Sequence, residues 1–417
     1  MTLEQRFHPS SKSISVSARL TCACAAKIRS TKPNIGKHHS KSLLCAGLLA
    51  IALPVLQGCG GYSSMNKTYT TTPTQSSSQA LWVANGTNVL EFASTSLTAM
   101  GSAAAAPSLT VNSSAFAAPQ GVIFDTSADL WVVDGGTVST GGTAKPALYE
   151  FTSKQLSGIQ SGSSVMPNMT INSNAFVFPQ QAVFDSKGDL WVSDSGANAV
   201  FEFTPTQRMA SGTNVMPNIT IKSNPAFNGA LGIALDSSGD LWVANHGTTT
   251  IFEFNAAALP TTSGSMTLTP NIMLSDDGKG SIQGPWALAF DSAGNLWSSN
   301  ANSGNTVVQF SKASLAATGS PSPAVMLNST MVSGNASLST PKGIAFDSSG
   351  DLSVASSAAP FGVGLYSASQ LSAGGAVAPH VFIVGAATTL KAPAGENFGP
   401  TITYGSSGGG TYNGGMY

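Results

Sequence analysis

Charge is scarce in this sequence. Asp, Glu, Lys and Arg make up 9% of its 417 residues, against about a quarter in ordinary soluble domains. The exposed faces of helical bundles and coiled coils need many charged side chains, so the composition disfavours both as the fold. The few charges are unevenly placed. Residues 1–58 hold eight Lys or Arg and one acid, which leaves ten basic and eighteen acidic residues for 59–417. A body with that acidic excess offers phosphate backbones no electrostatic footprint, and no nucleic acid is expected as a partner. Cysteine is short as well. Three of the four, Cys22, Cys24 and Cys45, precede Cys59. A body left with one cysteine can form neither an internal disulfide nor a cysteine-based zinc site.

What is present at the start of the chain reads as an address. Residues 37–59, KHHSKSLLCAGLLAIALPVLQGC, place a basic stretch before an apolar run from Leu43 to Leu56. That run is too short to span a bilayer, which takes about 20 residues, and suits the core of a signal peptide. Its end, Leu56-Gln57-Gly58-Cys59, resembles a bacterial lipobox, although Gln57 is a less usual residue there. The resemblance implies removal of 1–58 and lipidation of Cys59. The protein is then expected to be exported to the cell envelope and held at a membrane by that lipid, with an uncleaved anchor as the plainer alternative. Residues 60–79 have almost no aliphatic side chains and read as a flexible tether, and the Gly-rich tail 410–417 reads as disordered.

From residue 80 to 409 the sequence repeats itself. The clearest unit is PQGVIFDTSADLWVVD from Pro119, PQQAVFDSKGDLWVSD from Pro179, ALGIALDSSGDLWVAN from Ala230, PWALAFDSAGNLWSSN from Pro285 and PKGIAFDSSGDLSVAS from Pro341. Trp131, Trp191, Trp242, Trp297 and the equivalent Ser353 are 60, 51, 55 and 56 residues apart, and Trp82 lies 49 before the first. Within a unit the apolar residues alternate with period two, and Gly, Ser, Asp or Pro bound each run, which is the pattern of strands. Four antiparallel strands per unit of about 55 residues make one blade of a propeller, and blades packed in a ring bury faces that one alone would expose. The unit at residue 80 lacks its first strand, and Thr401-ITYGSSGG aligns with Gly343-IAFDSSGD. The expected fold is therefore all-β: a six-bladed propeller of four-stranded antiparallel blades, closed by a C-terminal strand at 401–405 that completes the first blade.

These units resemble the NHL-type repeat and, more loosely, gluconolactonase-like and streptogramin-lyase-like propellers. The resemblance covers 80–409 and speaks for fold more than for function, since such propellers include enzymes, receptors and scaffolds. It implies that the first strand is innermost, so that the residue after its opening proline rings the mouth of a central channel. Those residues are Gln120, Gln180, Leu231, Trp286, Lys342 and, in the closing strand, Pro400. Lactonase-like propellers draw metal-ligating Asn and Asp from this position. None of the six is Asn, Asp or Glu, so no metal and no cofactor is expected. A lyase-like site needs a histidine base, and the body has two histidines, His246 and His380, expected to lie far apart.

Features that recur in every unit are read as architecture. The pairs Asp125/Asp129, Asp185/Asp189, Asp236/Asp240 and Asp347/Asp351 close turns rather than bind calcium, since no bidentate Glu follows them. Glu91, Glu150, Glu202, Glu253 and the repeat tryptophans are read the same way. What breaks the repeat is the candidate site. Trp286 is the one tryptophan outside the repeat position, with Gln120, Gln180 and Lys342 on its ring and Asp134, Asp194, Asn245, His246 and Asn300 ending the second strands on the same face. One aromatic among amides and charges suits a polar, glycan-like ligand or a protein partner. The plainer alternative has Trp286 plugging the channel. Insertions at Gly135–Pro146 and Ser275-DDGKGS are lesser candidates. The expectation is a monomeric, non-catalytic binding propeller, with a lactonase-like hydrolase or lyase and an envelope scaffold as alternatives.

Overall fold

The computed structural model describes residues 79–98, 101–103, 105–137, 144–160, 162–210, 212, 214–302 and 304–402. The signal segment 1–58, Cys59, the tether to residue 78, residues 138–143 of the first insertion and the tail 410–417 lie outside them. All described residues belong to one compact unit, and no helix among them is long and apolar enough to cross a membrane.

Six antiparallel sheets, each with its first strand innermost, stand in a closed ring in which every inner strand touches the next. Blade 2 runs outward through Pro119–Phe124, Leu130–Asp134, Ala147–Phe151 and Met169–Asn172. Blades 3 to 6 start at the inner strands Pro179–Phe184, Ala230–Leu235, Pro285–Phe290 and Pro341–Phe346. Blade 1 is composite. Its three outer strands are Gln79–Asn85, Asn88–Phe92 and Leu109–Asn112. Its inner strand is Pro393–Pro400, with Pro393 opposite Asn85 and Pro400 opposite Gln79.

This corrects the expected closing strand at 401–405; of that span, residues from 403 onward lie outside the described ones. The other inner strands run through an Asp-rich turn into the strand that follows them in sequence. The closing strand pairs with a strand from the start of the chain, and Gly399 stands where its counterparts carry the turn aspartate. Pro393-Ala394-Gly395 takes the place of Pro341-Lys342-Gly343. Ala394, not Pro400, therefore stands at the channel mouth.

The recurrent residues do local work. Asp125 accepts the N–H groups of Ser127 (2.9 Å) and Asp129 (3.1 Å) and the Trp131 indole N–H (3.1 Å). Asp185, Asp236 and Asp291 repeat this with Trp191, Trp242 and Trp297. Trp82 has no such Asp and donates to the Pro400 carbonyl instead (3.4 Å). With its N–H satisfied, the indole can be buried edge-on against the inner-strand Phe of the next blade, as in Trp131–Phe184, Trp242–Phe290 and Trp297–Phe346. Six apolar clusters result, one in each gap between neighbouring blades. Near the axis the inner strands come too close for a side chain. A Cβ on Gly232 would lie 2.4 Å from the Trp286 carbonyl oxygen, and one on Gly343 2.4 Å from that of Ala394.

Outer edges are covered in a way the sequence did not announce. The link between the third and fourth strands of each blade reaches back and pairs in parallel with the outermost strand of the preceding blade. Ser164 bridges Asn112, Gly212 bridges Ile171, Gly319 bridges Leu274 and Gly375 bridges Leu327. Gly264–Leu268 does the same along Ile219–Ser223. Gly101–Ala103 of blade 1 pairs with Val381–Ile383 of blade 6, which completes the circuit. Each edge strand that would invite foreign pairing is thus blunted.

Candidate functional site

The inner strands enclose an axial cavity of about 270 Å³. Its wall is mostly aliphatic, including Val122, Ile233, Leu288 and Ile344, and Glu396 is the one ionisable group among its lining residues. The mouth lies where the inner strands begin. Here the structure brings together three of the expected residues, Trp286, Lys342 and His246. The Lys342 Nζ lies 4.1 Å from the centroid of the Trp286 ring. The His246 ring meets the same indole edge-on at 5.4 Å. All three are half-buried. Burial holds the Lys342 ammonium below the usual lysine range, and among the described residues no carboxylate forms an ion pair with it. The buried Nδ1 of His246 makes no hydrogen bond.

The remaining expected residues sit elsewhere. Gln120, half-buried, is on the mouth three blades from Trp286, its amide donating to the Ala118 carbonyl (3.2 Å). Gln180 is 2% exposed, with its amide on the Ser195 hydroxyl (3.2 Å). Asp134, Asp194, Asn245 and Asn300 are 0% exposed. Asp194 accepts the N–H groups of Val177 (2.8 Å), Phe178 (2.9 Å) and Ala197 (2.8 Å). Asp134 takes those of Ala117, Ala118 and Gly136. Asn245 and Asn300 accept from the Asn228 and Gln283 N–H groups. These four tie the loop that enters the inner strand to the end of the second strand, and their oxygens do not face the mouth. A polar residue closing a buried strand reads as ligand-facing in sequence, yet the loop's own N–H groups need an acceptor first. Leu231 is buried. The Ser275-DDGKGS loop folds on itself, with Asp276 accepting the Ile282 N–H (3.0 Å) and Asp277 that of Lys279 (2.9 Å).

Glu396 went unread in the sequence because it belongs to the displaced closing strand. It occupies the place held by Ile344, Leu288 and Ile233 in other blades. It faces blade 6 where that blade has Ser353 in place of tryptophan, so the two departures from the repeat meet at one seam. Burial pushes the Glu396 carboxyl up to about 8, and neither of its oxygens has a hydrogen-bond partner, the Ser353 hydroxyl donating to the Ala345 carbonyl (3.2 Å) instead. At neutral pH it is chiefly the neutral acid.

The ring of mouth residues does not fit a hard divalent cation, which needs several converging oxygens and here would meet the Lys342 ammonium. On the opposite face, Asp125, Asp129 and Glu150 bring three carboxylate oxygens within 4.8 Å of one another, and the Arg208 guanidinium shares that groove, above Trp131 and Phe184. The two histidines are not brought together. His246 is at the mouth, whereas His380 lies 3.8 Å from Asp351 in a turn at the far end of blade 6.

No protein-family model and no curated protein matches the sequence. Solved structures do resemble the fold. A crystal structure of a nidogen/laminin complex contains a chain 13% identical, matched over 77% of this chain and 98% of that one with a TM-score of 0.50. The periplasmic gluconolactonase of Pseudomonas aeruginosa is 14% identical over 78% of this chain and 99% of its own, with a TM-score of 0.49. A streptogramin B lyase is 15% identical, with a TM-score of 0.38, and the match spans 60% of this chain and 66% of the lyase. At such identities the likeness is one of fold. The class that the fold defines is that of six-bladed β-propellers.

Proposed function

We propose that this protein is an exported binding propeller whose channel mouth takes a polar, glycan-like ligand bearing an acidic group, without performing chemistry on it. One observation carries the reading: a partly desolvated lysine without an acidic partner stands 4.1 Å over the one tryptophan that departs from the repeat. Such a cation gains most from an anionic group that replaces lost water, and an indole offers a flat surface to a sugar ring. No acid–base pair faces that spot among the described residues. A uronic-acid oligosaccharide titrated into the purified protein is expected to bind saturably, while the neutral glucose oligomer of equal length binds at least tenfold more weakly. Trp286→Ala and Lys342→Met should each weaken binding by about tenfold or more, roughly 1.4 kcal/mol, with unchanged far-UV circular dichroism. Equal affinity for the neutral oligomer, or full affinity in either variant, would remove this reading. The lipid anchor is part of the proposal, and Cys59→Ser is expected to shift the protein from the membrane to the soluble fraction of its host. Recovery of that variant in the membrane fraction would refute lipidation at Cys59.

A further inference from the structure

Four of the gaps between blades open on the face opposite the channel mouth, and two of them are built alike but differ in the side chains that fill them. In the gap between blades 2 and 3, Asp125, Asp129 and Glu150 line one wall and the edge-to-face pair Trp131–Phe184 forms the floor, with centroids 6.3 Å apart at 76°. The Arg208 side chain, from the short helix Pro205–Met209, enters this groove. Its guanidinium carbon lies 5.3 Å from the Trp131 centroid and 4.8 Å from that of Phe184. Nη2 donates to the Gly188 carbonyl (2.8 Å), and the charge is held against Asp125 and Glu150.

In the gap between blades 4 and 5 the counterparts are Asp236, Asp240 and Glu253, and the floor is Trp242–Phe290, 6.0 Å apart at 72°. Gly294 stands where Gly188 does. The residue in the place of Arg208 is Leu315, which contributes no charge. The groove is a cavity of about 430 Å³. Glu253 at its wall is 3% exposed, and its Oε2 has no hydrogen-bond partner. In the sister blades the same oxygen accepts an asparagine amide, from Asn168 on Glu150 (2.7 Å) and from Asn218 on Glu202 (2.8 Å). The corresponding Asn271 instead uses its oxygen to accept the Asn255 N–H (3.0 Å). Lys312, on the rim, forms no ion pair with these acids. Burial, reinforced by Asp240 and Asp236, pushes the Glu253 carboxyl up to about 7, which marks a charge lacking its counter-ion.

We propose that the groove between blades 4 and 5 is a binding site for a guanidinium group from outside the chain, seated over Trp242 and Phe290 and paired with Glu253, as Arg208 is seated over Trp131 and Phe184 within the chain. Planar guanidinium suits this setting, since it stacks on aromatic faces and pairs with carboxylates. The site does not depend on the reading of the channel mouth, which lies at the other end of the strands.

The test titrates L-arginine and the capped tripeptide acetyl-Gly-Arg-Gly-amide into the purified protein, with the Gly-Ala-Gly peptide and calcium chloride as controls. One equivalent of either arginine probe is expected to bind, and the tighter of the two tells whether the guanidinium is presented free or on a peptide. Glu253→Gln, which keeps shape and removes charge, should weaken binding at least tenfold. Leu315→Arg should abolish it by supplying the group internally. Arg208→Leu should open the sister groove and raise the stoichiometry from one to two. Absence of saturable binding, affinity unchanged in Glu253→Gln, or binding of calcium in place of arginine would each overturn the proposal.

Discussion

A single carboxyl at the seam between blades 6 and 1 sets an expected pH dependence. Glu396 is protonated in the folded state up to about pH 8, whereas in the unfolded chain it ionises near its ordinary value, about 4.3. At this site the folded state therefore holds one more proton than the unfolded state throughout that window, beside the contribution of Glu253 up to about pH 7. The stability due to the neutral acid is complete below pH 4, declines as pH rises, and is gone above pH 8, a loss of a few kcal/mol. Glu396→Gln cannot ionise and should flatten this slope. The melting temperature of the variant is expected to exceed that of the parent by several degrees at pH 8 and to match it at pH 4.5. Equal slopes for the two proteins between those values would show that another group controls the decline.

At the scale of elements, what holds each blade in register is the tie between the end of its second strand and the loop entering its first. Asp194 makes two such bonds, to the Val177 and Phe178 N–H groups, and accepts a third from Ala197 in its own following turn. Removing the carboxylate strands buried donors, each costly on its own. Asp194→Ala is expected to cost about 3 kcal/mol in urea unfolding and Asp194→Asn appreciably less, since one amide oxygen remains. A loss under 0.5 kcal/mol in the alanine variant would mean that water replaces the carboxylate. The same elements show why part of the structure could be read in advance. Alternation, the Asp-rich turns and the Trp spacing report directly on strands, so five inner strands and the composite first blade were legible. The clasps on the outer edges were not, because bridges at Gly212, Gly319 and Gly375 use backbone groups that every residue carries. The closing strand was misplaced because Thr401-ITYGSSGG imitates Gly343-IAFDSSGD more closely than the true inner strand Pro393–Pro400 does. At the mouth, the break in the repeat pointed to Trp286 and Lys342, whereas burial, which separates them from Asp194 or Asn300, depends on neighbours far away in sequence.

For the whole molecule, closure is made twice. On the inside, Pro393–Pro400 from the end of the ring joins Gln79–Asn85 from its start. On the outside, Gly101–Ala103 of blade 1 clasps the last strand of blade 6. Gln79 and Pro400 are paired residues, so a short linker between the two sides of that pair spans no distance the fold does not already close. A circular permutant that joins them and opens the exposed stretch 261–263, in the link between the third and fourth strands of blade 4, is expected to fold, with near-UV circular dichroism like that of the parent. Failure of several linker lengths to give that spectrum would show that the order of synthesis, and not only the ring, is needed.

The six clasps running from each blade to the one before it bear on how the molecule comes apart. An open solenoid frays from its terminal repeats, whose outer faces lack a neighbour. Here each blade is held by a neighbour on both sides and grips the previous one at its rim, so there is no terminal repeat from which melting could spread. Amide exchange should accordingly show blades 1 and 6 as protected as blades 3 and 4, and the strands should lose protection together in one cooperative opening.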